Sequence, residues 1–514
     1  MKTPKKQGVS DYAIIGFLLS AMVLAATLIF LLCFAVSDQS NRVGGALISV
    51  EKAVFDVHGS SPLFRSLRKS AAKPKLPEQE RDESQPAVTV SETIAVFEEF
   101  LKELHAGLLK ASEGERDFRI YHRIYHDLAV KRLYAFDRRY LNHMPERRSD
   151  DSIYLSVASY RDENCVHTLT EAFKRATSPE LLFVGLVQQN CVANCMSGVL
   201  EGGVVKPIEP DDDCYQLFCD SEIGKPYCSH VRLLRVDESE SLGPYTARYF
   251  ASKLWSGESW FMQIDSHMTF IDGWDAQSVD MLRKAPSEKP VITHYPPGAE
   301  EDFVHGERRG APRICDAVFS DSHVEHEIIR LEGCGSCDGK RIEIPRFAPF
   351  VAAGYFVAHS DFLKDVPFDP FLPWVFMGEE IIMSARLWTY GYDIFAPAHS
   401  VVGHKYVRRH KPKYWESVGR FLGEGMDGLI EGLVIHRLKH QLGYPESAPD
   451  FVRPKDVFFG MEHYTMGTER SVVDYMKLVG LDPVRKEISK VTWCEAGVPP
   501  FYAIDKAYLY EETK

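Results

Sequence analysis

The hydrophobic pattern changes character along the chain. From Tyr12 to Ser37 (YAIIGFLLSAMVLAATLIFLLCFAVS) no residue is charged. The part before Ser37 makes a helix of about 37 Å at 1.5 Å per residue, longer than the roughly 30 Å hydrocarbon core of a bilayer. The pattern therefore predicts a spanning helix over 12–36, after a short tail, 1–11. Residues 37–90 are mostly polar, with proline and charge and no sustained period, and read as a flexible stem. Over 91–150 apolar residues recur at helical spacing (Ile94, Phe97, Phe100, Leu101, Leu104, Leu108), with Ser91, Glu92 and Thr93 as a start. This predicts a helical neck that packs or oligomerises.

At Ile153 the texture changes to short apolar runs separated by helical stretches. IYLSVAS (153–159) and ELLFVGLVQQ (180–189) are buried-strand candidates on either side of the helical VHTLTEAFKRAT, the βαβ arrangement of a parallel sheet. GPYTARYFASKLWSG (243–257) reads as a helix feeding a further strand, Trp260 to Ile264. That strand ends in IDSH. Open α/β sheets bind ligands at the carboxyl ends of their strands, near the point where strand order reverses, and Asp265 sits at such an end.

Composition narrows the class. The chain has 514 residues, 45% of them hydrophobic, and a net charge of −13, which suits a large folded body and argues against non-specific nucleic-acid binding. The basic and aromatic stretch 118–140 is better read as solvated charge beside a core stripe than as a nucleic-acid surface. Lys2, Lys5 and Lys6 precede the apolar segment and Asp38 follows it, so the positive-inside rule predicts a single-pass type II signal anchor with the body in the lumen. A cleaved signal peptide would have a shorter apolar core. Of eleven cysteines, ten lie beyond the anchor, an even number consistent with disulfides in an oxidising compartment. Their pairing cannot be read from spacing. Cys334 and Cys337 have the spacing of half a zinc site, but no second pair completes it.

Residues i and i+2 of an extended segment project to one side, so Asp265 and His267 can aim at one point while Ser266 faces away. A carboxylate with an imidazole is a mixed donor set that suits manganese, with magnesium or zinc as alternatives. Two ligands from one strand end leave coordination positions open for phosphate oxygens. Taken alone, the pattern also fits an aspartate capping the next turn and a histidine satisfied in the core.

The segments GPYTAR, GESWFMQ, IDSHMTFIDGWD (264–275), FMGEEIIMSARLWTYGYDIFAPAHSVVGHKY (376–406) and HYTMGTERSVVDYMKLVGLD (463–482) together resemble the polypeptide α-N-acetylglucosaminyltransferases, which modify hydroxyproline or threonine side chains. More distantly the chain is similar to the mucin-type polypeptide N-acetylgalactosaminyltransferases. The resemblance spans Ile153 to Asp482 and implies a GT-A nucleotide-sugar transferase fold, α/β with a mainly parallel sheet, over 151–410, extended by helices over 411–514. It implies Asp265 and His267 as the metal and diphosphate motif, with His404 completing the metal's protein ligands. Glu379 matches a glutamate near sugar and acceptor, with Glu380 beside it as a second catalytic candidate, and Gly354 matches a glycine beside the donor sugar. Tyr160, Arg161 and Arg248 fall where such folds meet the nucleotide. Each has a plainer reading. Glu379 and Glu380 open a helix, where acids offset the macrodipole. An arginine such as Arg248 can equally serve only to pair with an acid, and His399 reads as structural.

Together these predict a Golgi-anchored, manganese-dependent retaining transferase that takes N-acetylglucosamine from UDP-GlcNAc to a Thr/Ser or hydroxyproline hydroxyl of a polypeptide. The neck offers a surface for homo-oligomers. The rival readings are the same machinery with another UDP-sugar such as UDP-GalNAc, and a non-catalytic Golgi lectin or scaffold.

Overall fold

The computed structural model describes residues 86–114, 116–198, 203–299, 311–333, 343–407 and 411–496, all within one compact unit, Lys73–Lys514. The apolar segment Tyr12–Ser37 and the Cys334/Cys337 loop lie outside them. Among the described residues no helix is long and apolar enough to cross a membrane.

Among the described residues the strands in chain order are β1 (Ile153–Tyr160), β2 (Leu182–Asn190), β3 (Val231–Asp237), β4 (Trp260–Asp265), β5 (Met268–Phe270), β6 (Pro290–Thr293), β7 (Asp316–Phe319), β8 (Ile329–Glu332), β9 (Arg346–Phe347), β10 (Tyr355–His359), β11 (Asp393–Ala396), β12 (Val402–His404) and a short late pair, β13 (Leu481–Asp482) and β14 (Glu487–Ile488). Eight form the central sheet in the order β3-β2-β1-β4-β10-β6-β11-β9. β3, β2, β1 and β4 run parallel, β10 runs against both β4 and β6, β11 parallels β6, and β9 runs against β11. The fold is therefore mixed α/β with a mainly parallel sheet. Chain order reverses at the β1–β4 pair, and β4 ends there at Asp265.

The alternation of side chains along each strand separates two cores. Tyr154 and Phe261 face one, with Phe97, Phe250 and Ile435; Leu155 and Met262 face the other, with Leu169, Phe218 and Trp274. The helices on these faces include α1 (Val90–Ser112), α2 (Phe118–Leu128), α3 (Ala135–Asn142), α4 (Cys165–Arg175), α5 (Cys214–Asp220), α6 (Pro244–Ser252), α7 (Trp274–Lys284), α8 (Phe362–Asp365), α9 (Glu379–Thr389), α10 (Tyr414–Leu422) and α11 (Met426–Leu442).

The segment expected as a helical neck is built into the body. Thr89 caps α1 by accepting from Glu92 N. Below that cap Phe97 packs on Phe250 of α6, ring centroids 4.7 Å apart, and Phe100 meets Tyr125 edge-on at 5.8 Å. Tyr125 donates to the Pro370 carbonyl at 2.5 Å. Buried Asp137 of α3 pairs with Lys253 at 3.1 Å and accepts from Tyr249 and Tyr464. The apolar stripe proposed for oligomerisation is thus occupied by the chain's own core.

Among the described residues four disulfides join Cys165–Cys214, Cys191–Cys195, Cys219–Cys228 and Cys315–Cys494. The last links points 179 residues apart and fastens the end of the described chain beside β7. The expected boundary at 410 falls on residues outside the description. Beyond it α10 and α11 pack into the same core as β4 and α9, through Val418, Leu422, Ile435 and Leu438.

Candidate active site at the end of β4

β4 is apolar except for Gln263 and Asp265. Leaving the strand, the chain turns through Ser266 and His267 into β5, which pairs antiparallel with β12: Phe270 faces Val402, Thr269 faces Gly403 and Met268 faces His404. Lys405 N also donates to the His267 carbonyl at 3.0 Å. This two-stranded ladder brings His404 beside His267. The rings lie 4.5 Å apart, and His404 Nε2 is 3.1 Å from Asp265 Oδ2. One ligand atom from each of Asp265, His267 and His404 lies within 4.8 Å of the others. Their side chains are 25%, 16% and 11% exposed, so the cluster opens to solvent on one side.

Arg248 of α6 binds this cluster to a second acid. It donates to Asp265 Oδ1 at 2.8 Å and, through its other terminal nitrogen, to Glu379 Oε2. Glu379 also accepts from Gln263 Nε2 at 3.1 Å. Burial works to raise the Asp265 carboxyl's pKa, but the His404 hydrogen bond and the charges of Arg248, His267 and His404 outweigh it and hold the group ionised, well below the usual carboxylate range. Burial also raises Glu379, with Arg248 opposing. Two carboxylates share one guanidinium here, which leaves room for further positive charge.

Two glycines shape the site. Gly378 precedes α9 at φ 99°, and a side chain there would meet Leu438, Ile328 and Ile435 at 3.0–3.4 Å. Only glycine starts the helix in this conformation and lets Glu379 approach Arg248. Gly354 lies in the turn entering β10, where an added Cβ would stand 2.8 Å from Asp265 Oδ2. Its carbonyl accepts from Asp265 N at 3.2 Å. Glu380 holds that same turn, accepting from Ala353 N at 2.9 Å and from the Tyr295 hydroxyl at 2.8 Å. Both its oxygens are engaged, and burial pushes its pKa up to about 7. The geometry gives Glu380 a turn-holding position.

A family model described as glycosyltransferase (GlcNAc) matches residues 152–485. The chain belongs to this glycosyltransferase family. No curated protein matches it in sequence. Among solved structures it is similar to GalNAc-T7 with UDP, GalNAc and Mn2+, at 15% identity and a TM-score of 0.37 over 67% of this chain and 62% of that one; the chain thus spans about three fifths of GalNAc-T7. It is also similar to S. aureus TarS 1-349 in complex with UDP-GlcNAc, at 12% identity and a TM-score of 0.30 over 61% of this chain and 89% of that one. Likeness this distant assigns no residue a role.

Within this glycosyltransferase, Tyr160 and Arg161 do not join the cluster. Tyr160 meets Tyr414 of α10 edge-on at 5.9 Å. Arg161 is wholly buried with its backbone in the left-handed region at φ 48°. Its guanidinium is occupied by Asp211 at 2.8 Å, Glu238 at 2.6 Å and the Met196 carbonyl at 3.0 Å. Arg161, expected where the nucleotide is held, has its side chain taken up in a buried clasp. Arg248 is in the site but touches acids. His399 bonds Gln277 at 2.9 Å, as a structural histidine does.

Sequence reasoning passed over Asp162, Gln263 and Tyr295, all of which reach the site or the groups holding it. Gln263 carried a signal, being the polar residue inside WFMQI. Asp162 carried a weaker one, an acid just past the end of β1. Tyr295 carried none.

Proposed function

We propose that the chain is a GT-A glycosyltransferase that uses a divalent ion, manganese first, to move N-acetylglucosamine from UDP-GlcNAc to a Thr/Ser or hydroxyproline hydroxyl of a polypeptide with retention, as a type II protein of the Golgi lumen. The observation that carries this reading is the convergence of Asp265, His267 and His404 at the carboxyl end of β4 in a chain of the GlcNAc glycosyltransferase family. The donor set fits the ion. It offers one ionised carboxylate and two imidazoles, it stands where two acids share one arginine, and Gly354 keeps the space beside Asp265 clear. A bound divalent ion supplies positive charge where the diphosphate leaving group develops its own.

The chain's own residues do the rest. Arg248 fixes the angle between Asp265 and Glu379 and adds a second positive charge beside the leaving group. Glu379, held by Arg248 and Gln263, faces the sugar and acceptor side. Glu380 and Tyr295 keep the Gly354 turn in place. Retention and the polypeptide acceptor come from the resemblance of IDSHMTFIDGWD, FMGEEIIMSARLW and HYTMGTERSVVDYM. The lumenal placement comes from the basic flank of Tyr12–Ser37 and is supported by the four disulfides among the described residues.

The test is transfer by the full chain in detergent, with UDP-GlcNAc, UDP-GalNAc and UDP-glucose offered against Thr-rich and hydroxyproline peptides, with manganese or with chelator. Manganese-dependent transfer from UDP-GlcNAc is expected. Preference for UDP-GalNAc would revise the sugar, and release of no UDP from any donor would leave the scaffold reading standing.

A further inference from the structure

The two histidines of the cluster are held differently. His267 Nδ1 lies 2.6 Å from Asp162 Oδ2, whereas His404 Nδ1 is buried with no hydrogen-bond partner. Asp162 follows β1 by two residues, and its carboxylate side chain is fully buried. Oδ2 also accepts from Ser266 Oγ at 2.7 Å, and Oδ1 accepts from Asn164 N at 2.9 Å and Asn164 Nδ2 at 3.1 Å. Asn164 in turn accepts from Lys405 Nζ at 2.8 Å through its side-chain oxygen, and Lys405 is the residue after His404. The loop from β1 to α4 therefore grips the back of His267 through Asp162 and the chain beside His404 through Asn164.

A carboxylate has no proton to donate, so an imidazole nitrogen at 2.6 Å from it must carry the hydrogen. When His267 is neutral, that places its proton on Nδ1 and leaves Nε2 as its ring nitrogen with a lone pair. A metal-binding histidine needs this of its second nitrogen, because a partner there sets both tautomer and ring orientation and raises the basicity of the ligating nitrogen.

We propose that Asp162 is a positioning residue of the metal site, locking His267 in the Nδ1–H tautomer so that Nε2 stands ready for a divalent cation. The inference rests on the metal reading given above and deepens it: one of the three ligands is preorganised from the neighbouring strand.

The competing role for Asp162 is a turn cap that merely serves Asn164 N and Ser266. Asparagine caps turns as well as aspartate does, so Asp162→Asn separates the two. Binding of Mn2+ to the full chain in detergent, followed by the electron paramagnetic resonance of the free ion, should weaken about 10- to 100-fold in Asp162→Asn, with thermal unfolding little changed. Ser266→Ala removes a hydrogen bond to the same oxygen without touching His267 and should leave Mn2+ binding within about threefold of wild type.

A second measurement does not depend on any Asp162 variant folding. In the metal-free wild-type chain carrying 15N-histidine, the His267 resonance, assigned by its loss in His267→Gln, should show an Nδ1–H, Nε2-unprotonated ring. An Nε2–H ring overturns the proposal, as does Asp162→Asn that binds Mn2+ like wild type. If the wild-type chain itself binds Mn2+ no better than Asp265→Asn, the metal reading fails and takes this one with it; that outcome is distinct from wild-type binding that Asp162→Asn retains.

Discussion

The carboxyl ends of β1 and β4 lie side by side and carry similar inventories of charge, yet they are built for different ends. Past β1, Arg161 is enclosed by Asp211 and Glu238, with Lys411 at 2.7 Å from Asp211 and Arg420 at 3.8 Å from Glu238. The acids there have cations to spare, and Arg161, Asp211 and Glu238 are at most 6% exposed. At the end of β4, Asp265 and Glu379 share one guanidinium, two imidazoles stand beside them, and a quarter of the Asp265 side chain meets solvent. A charge-balanced, closed cluster stabilises a fold; a cluster short of positive charge and open on one side can take up a ligand. Residue types alone do not separate the two. The balance and the exposure do.

The comparison breaks most readily at Asp265. Asp265→Asn removes the charge with little change in size, and a neutral amide is easier to bury than an unpaired carboxylate. Manganese binding and sugar transfer should fall together by about three orders of magnitude or more, with the unfolding temperature nearly unchanged; calorimetric titration beside a transfer assay checks this. His267→Ala and His404→Ala should repeat the pattern. A variant that still binds manganese would make the β4 end a second clasp.

At the other end the opposite split is expected. Arg161→Ala leaves Asp211 and Glu238 without the buried cation they share and should destabilise the chain by about 3–5 kcal/mol, read from denaturant unfolding. Where the variant stays folded at low temperature, its manganese affinity should match wild type.

Glu379→Gln probes the shared guanidinium. Its amide oxygen can still accept from Arg248, so manganese and UDP binding should survive while turnover falls about 100-fold. Loss of metal binding instead would show that Glu379 serves mainly to orient Arg248 toward Asp265.

How far these regions were legible follows from what each signal encodes. The short apolar runs gave β1, β2 and β4 to within two residues, and the run broken by IDSH marked the strand end where Asp265, His267 and His404 gather. Helical spacing of Phe97, Phe100, Leu101 and Leu104 identified the buried face of α1. It could not say what covers that face, because a periodicity is the same whether the partner is another copy or α6 of the same chain. The clasp around Arg161 was hidden for a related reason: an arginine at the end of a β1 strand looks the same free or clasped until Asp211 and Glu238, 50 and 77 residues away, are seen to close on it. Asp162 lay hidden because its role exists only once β4 lies beside β1. His404 entered through family resemblance, and the β5–β12 ladder that places it left no periodic trace in three-residue strands.

The smallest expected effect tests the premise under the whole comparison, that a buried acid short of a cation must relieve its charge some other way. Glu431 of α11, half-buried, is such a case. It accepts from Phe376 N at 2.9 Å, two residues before Gly378, and burial pushes its pKa up to about 7, with the Phe376 and Met377 amides opposing and Asp427 and Glu325 adding to the rise. A carboxyl whose folded pKa lies above the unfolded value near 4.3 favours the protonated, folded form. Its contribution is complete below about pH 4 and is lost as pH rises through about 7. Wild type should therefore lose stability from pH 5 to pH 8 relative to Glu431→Gln, by about 2 kcal/mol, because the amide holds the neutral form at every pH. Denaturant unfolding of both chains across that range gives the difference directly, and other titrating groups cancel between them. A difference that does not change with pH would mean that two backbone amides suffice to keep a buried carboxylate charged, and the charge shortfall at the end of β4 would then no longer argue for a cation.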